Sequence, residues 1–160
     1  MKGRIVLAAA IVAAAALAVV GVVGAGAKGA SGGSKALFAV MSGKKEVSAE
    51  GDKRAGDLNG QGSFSAIFDG NELCYGITVK NIEDPVAAHI HKGSPRVAGP
   101  VVQALQQPAT GDPGTSSDCV AVDTALARAI QKNPAKYYVN VHTGDFPGGA
   151  VRGQLFGKSR

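Results

Sequence analysis

The residues best placed to do chemistry are three histidines, all that this 160-residue chain contains. His89 and His91 sit in Ala88-His89-Ile90-His91, and His142 closes Tyr138-Val139-Asn140-Val141-His142. If the first run is a strand, alternation puts His89 and His91 on one face and Ala88 and Ile90 on the other. That spacing suits two ligands for one ion. His142 falls in the row of Tyr138 and Asn140, opposite Val139 and Val141. Were the two strands neighbours, three imidazoles would converge, and three neutral imidazoles with an open position suit copper or zinc in a catalytic or transport site. Metal–nitrogen bonds are only about 2 Å, so strands held more than about 10 Å apart would exclude that site. In the competing reading the histidines bond backbone carbonyls and pin loops, with Asp145 and Arg152 completing a polar network. Lys92 and Arg96, close to the pair in sequence, disfavour a dication. Either way, imidazoles titrate near neutral pH.

Other reactive constellations are missing from the sequence. Ser94 lacks the Gly-x-Ser-x-Gly setting of a hydrolase elbow, and no His-Glu-x-x-His helix or phosphate-binding glycine loop follows a strand. The acidic residues concentrate in loops such as Glu50 to Asp57. No catalytic residue and no organic cofactor is therefore assigned. The chain reads as a non-catalytic binding or structural module, with a histidine-based copper or zinc protein for storage, sensing or redox chemistry as the alternative. Arg152 has the geometry to pair a carboxylate bidentately, and Gln154 shares its strand face. Phe146-Pro147-Gly148-Gly149 is a turn, either a plain connection or a surface loop that meets a partner.

These side chains need strands to hold them. Phe64, Ala66 and Phe68 alternate with Ser63 and Ser65; after the turn Asp69-Gly70-Asn71-Glu72, Leu73, Tyr75, Ile77 and Val79 alternate with Cys74, Gly76, Thr78 and Lys80. This is a hairpin. Further strands are expected over Leu37–Met41, Val86–His91, Pro100–Leu105, Tyr137–His142 and Ala150–Phe156, with an exposed loop from Glu50 to Gly62. One short helix is expected over 125–132, capped by Asp123 or Thr124 and stopped by Asn133-Pro134. Seven or eight short strands with turn punctuation describe an all-β, Greek-key, immunoglobulin-like sandwich.

Met1-Lys2-Gly3-Arg4, then an uncharged run from Ile5 to Ala27 ending in Ala25-Gly26-Ala27, has the form of an export signal, residues 1–27. The run is also long enough to remain as an uncleaved membrane anchor with the domain outside. A Gly/Ser-rich linker (28–35), the domain (36–156) and a basic tail (157–160) follow. The cysteines of such an exported chain, Cys74 and Cys119, are read first as a disulfide, with two free thiols or soft-metal ligands as the alternative. Their 45-position separation gives roughly 4 kcal/mol of loop-entropy stabilisation. Cys74 lies on the face opposite the core row, where a loop bearing Cys119 could cross it. The formal charge of +5 includes Lys2 and Arg4, and the remaining charge is scattered. With an extracellular address, that argues against nucleic acid and for a protein, polymer or surface component outside the cell as partner. Membrane contact would come only through an uncleaved N-terminal segment.

Three segments resemble the chordin (CHRD) domain family in content, order and spacing. They are Ala87-Ala88-His89-Ile90-His91-Lys92-Gly93 with Gly99-Pro100-Val101-Val102; Asn133 through Thr143 (NPAKYYVNVHT); and Phe146 through Leu155 (FPGGAVRGQL). The resemblance covers roughly Ala36 to Phe156. It implies an extracellular domain that recurs as a stand-alone exported protein in bacteria, and it implies no defined reaction. The His-x-His strand also locally resembles the copper strand of copper-zinc superoxide dismutase, another Greek-key sandwich. That enzyme's bimetallic site needs more histidines than this chain has.

Overall fold

A computed structural model describes residues 36–158. The predicted export signal, the linker and the last two residues of the tail lie outside the described residues.

The chain forms nine strands: β1 (Ala36–Ser42), β2 (Gln61–Asp69), β3 (Glu72–Lys80), β4 (Pro85–Lys92), β5 (Val101–Leu105), β6 (Gly114–Ala121), β7 (Tyr137–Thr143), β8 (Val151–Gln154) and β9 (Phe156–Lys158). One helix, α1 (Thr124–Lys132), joins β6 to a short 3-10 turn before β7. The fold is all-β. The ladder runs β5-β4-β7-β8-β1-β2-β3-β6 with antiparallel pairing throughout, and β9 also pairs with β1. Because β3 is followed by β4 in the other half of this order, the chain crosses over as in a Greek key. The two edges of the sheet approach each other. Gln106, just past β5, accepts from Ser116 Oγ of β6 at 2.8 Å and donates its N–H to Tyr75 Oη of β3. The sheet is thus nearly closed on itself, between a barrel and a sandwich.

The period-two rows become the core. Leu37, Ala39 and Met41 of β1, Phe64, Ala66 and Phe68 of β2, and Leu73, Tyr75, Ile77 and Val79 of β3 all face inward. Ala88 and Ile90 of β4 and Val139 and Val141 of β7 meet them, and Ala127 and Ile130 of α1 cover one end. Asp123 caps α1 as expected, its carboxylate accepting from the N–H groups of Ala125 and Leu126 at 2.9 Å.

Four details differ from the sequence reading. Cys119 lies on strand β6, directly opposite Cys74 in register, rather than on a crossing loop; the two are disulfide-bonded with Cα atoms 4.0 Å apart. The stretch Gly114–Ala121 escaped recognition because an edge strand with most side chains in solvent shows no apolar alternation. The loop after Glu50 is partly packed, with Gly56 and Gly60 buried and Gln61 and Gly62 already in β2. The last strand breaks at buried Leu155, and β9 takes in Gly157 and Lys158, which pair with Leu37 and Ala36. No helix among the described residues is long and apolar enough to cross a membrane.

Candidate metal centre

β4 and β7 are ladder neighbours, with His89 opposite Asn140, His91 opposite Tyr138 and His142 opposite Ala87. The alternation that sends Ala88, Ile90, Val139 and Val141 into the apolar core sends His89, His91 and His142 to the other side of the sheet. There loops from 43 to 57, 93 to 99 and 144 to 149 cover a second, polar cluster. Glu46, His91, Asn140 and Arg152 are buried in it, and His89 and His142 are half-buried.

The three imidazoles converge. One ring nitrogen from each lies within 4.8 Å of the other two. His89 Nδ1 is 3.1 Å from His142 Nε2. Backbone carbonyls set the tautomers of two rings, because a carbonyl only accepts. His142 Nδ1–H donates to Pro147 O at 2.8 Å and His91 Nδ1–H donates to Gly99 O at 2.9 Å. In the neutral rings both Nε2 atoms therefore carry lone pairs. That of His142 accepts from His89 Nδ1–H, while that of His91 is buried with no hydrogen-bond partner among the described residues. Gly99 is required for this arrangement, since a Cβ there would collide with Lys92 O.

The surroundings disfavour the charged form of each ring. Burial is the main cause that lowers the pKa of each histidine, opposed by the carbonyl bonds of Gly99 on His91 and of Pro147 on His142; the like charge that a protonated His142 would carry adds to the effect on His89, and His142, His89 and Arg152 add to that on His91. A neutral, carbonyl-oriented imidazole is the form that ligates a metal.

Arg152 has a buried acidic neighbour. Asp145 is exposed on its loop, and the carboxylate beside Arg152 is Glu46, whose Oε1 lies 3.8 Å from Nη1. Arg152 Nη2 donates to Ser94 O at 2.8 Å, and its guanidinium lies 3.4 Å from the centroid of Tyr138. The Tyr138 ring also stacks on His91, with centroids 4.7 Å apart. Tyr138 thus links the histidine cluster to the Glu46–Arg152 pair, making Arg152, rather than Lys92 or Arg96, the cation that bears on His91. Asn140 Nδ2 and the Val47 N–H both donate to the Glu46 carboxyl. Gly149, at φ +137°, leaves room for this contact, because a Cβ would strike both Asn140 and Glu46. Gln154 lies beside Arg152 in sequence order but ties loops instead, its Nε2 lying 2.8 Å from the carbonyls of Gly93, Ala135 and Tyr137.

Glu46 was missed in the sequence because it follows Lys44-Lys45 and looks like part of a solvated charge run. Its side-chain partners Asn140 and Arg152 are more than ninety positions away, and no local pattern encodes them. Glu72 also lies near Cys74 and Cys119, but the disulfide leaves that trio without thiolates.

No curated protein and no solved structure matches the chain. A comparison with protein families aligns residues 37–155 with the CHRD domain. The match spans well over half of the sequence and includes all three histidine positions, both cysteines and Arg152, so the chain belongs to the CHRD domain family.

Proposed function

We propose that this domain binds one divalent copper or zinc ion through His89, His91 and His142 and works outside the cell as a metal-holding module. The observation that carries the reading is the convergence of three ring nitrogens within 4.8 Å, two of the rings being fixed by carbonyls that leave Nε2 without a proton. Second-shell bonds of this kind orient ligating histidines. The unpartnered, buried Nε2 of His91 costs free energy unless something meets it, and a cation would do so. With no thiolate in the cluster and imidazole as the donor, copper should bind more tightly than zinc. Export is supported by the basic and apolar N-terminus and by a disulfide, which persists in oxidising compartments. With only three protein ligands, the ion would keep a position open to solvent or to a partner's donor atom.

Calorimetric titration with copper and zinc tests this directly. The best variant is His89→Ala, since among the described residues the His89 ring bonds His142 and packs edge-on against His91 and His142, with no bond to a loop carbonyl. The wild-type chain should take up one equivalent. The variant should bind at least about 100-fold more weakly, a ligand counting for no less than a second-shell group, with an unchanged melting temperature. Absence of saturable binding by the wild type would reject the metal reading and leave a purely structural histidine cluster.

A further inference from the structure

Glu46 and Arg152, but none of the histidines, also line a cleft of about 700 Å³. The cations on its lining are Lys44, Lys45, Lys53, Arg54, Arg96 and Arg152, while Glu46 is the sole acid. Among the described residues the five exposed cations form no ion pair, the one recorded pair being the loose contact of Arg152 with Glu46. Arg152 is 1% exposed and its Nη1 has no hydrogen-bond partner among the described residues. The positive field of the cleft is therefore largely uncompensated.

The walls are apolar. Val40 on β1 and Phe156 on β9 are 60% and 51% exposed, leaving bare hydrophobic surface beside the charges, and Pro95 adds to it. Lys45 is drawn over this wall by the bond from Nζ to Val40 O at 2.7 Å. Arg54 is held at φ +61°, a left-handed conformation that a non-glycine residue adopts at a cost. Strain of that kind marks positions whose backbone is fixed by something other than local preference. A concave, mostly apolar site of several hundred cubic ångströms with a few convergent polar groups is the usual form of a small-molecule pocket.

We propose that this cleft binds a small organic anion with an apolar body, its acid group among Lys53, Arg54 and Arg96 and its hydrocarbon against Val40 and Phe156. Charge complementarity selects the anion, and the apolar walls select a molecule that buries a chain or ring rather than a bare phosphate or sulfate. The site is separate from the histidines and does not rest on their binding metal.

The test is calorimetric titration of the full chain with decanoate, with acetate and decanol as controls for charge without body and body without charge in turn. Decanoate should bind saturably at one per chain, with both controls at least about tenfold weaker, and the affinity should fall as salt shortens the Debye length. The double variant Lys53→Gln/Arg96→Gln, both side chains being exposed, should weaken decanoate about tenfold or more while melting temperature and copper uptake stay unchanged. Equal binding of decanol, no saturation with decanoate, or full affinity in the double variant would overturn the proposal. So would saturable binding of heparin without binding of decanoate, which would make the cleft a groove for an acidic polymer.

Discussion

Burial pushes the Glu46 carboxyl up from 4.5 to about 7, against the opposing pull of the Val47 N–H and of Arg152. Arg152, Tyr138 and Asn140 are the charged, titratable and polar side chains that face it. The folded state therefore keeps a proton that the unfolded chain has already lost, so between pH 4.5 and about 7 the contribution of Glu46 to stability falls as pH rises, while the lowered pKa of each histidine acts in the opposite sense. At about 1.4 kcal/mol per pKa unit, the total loss reaches about 3 kcal/mol. Glu46→Gln should remove this slope. Urea unfolding of metal-free wild type and variant at pH 5 and pH 8 should show the variant gaining on the wild type by roughly that amount at the higher pH. A gap that is the same at both pH values would contradict a raised Glu46. Little of this was legible in the sequence. His89, His91 and His142 stood out because strand alternation fixes which face a side chain takes. Glu46 did not, because its environment is made by residues distant in the chain.

At the scale of elements, the strands with one face in the apolar core were readable from alternation, and α1 from its Asp123 cap. Strand β6 was not, since its inward contacts are few and its sequence, Gly114–Ala121, is mostly polar. Its place at the sheet edge gives the disulfide its work. The bond between Cys74 and Cys119 ties this edge strand to β3 and restricts the unfolded chain, worth roughly 2–4 kcal/mol. Replacing both cysteines by serine should lower stability by about that amount in denaturant unfolding and should speed backbone amide exchange in β6 before other strands. Unchanged stability and uniform exchange would show that edge pairing alone holds β6. The metal centre lies on the distant pair β4–β7, so copper uptake by the serine variant should match the wild type.

Over the whole molecule, one sheet carries two interiors. Its inner face packs the aliphatic and aromatic rows, while part of its outer face, roofed by three loops, holds the histidines, Tyr138, Arg152 and Glu46. The sequence conveyed the first interior as periodicity. The second depends on loops folding back over the sheet, which Gly99 and Gly149 permit and which no periodicity reports. A domain that spends burial on polar side chains in this way must satisfy them, and the Nε2 of His91, beside the other two rings, is one of the buried atoms left without a partner among the described residues. A metal ion held by His89, His91 and His142 would meet this atom. Electron paramagnetic resonance of the chain loaded with one equivalent of copper(II) tests it most directly. A single bound species with hyperfine splitting from three imidazole nitrogens, lost in His89→Ala, is expected; a spectrum of weakly bound copper that is the same in wild type and variant would rule the centre out.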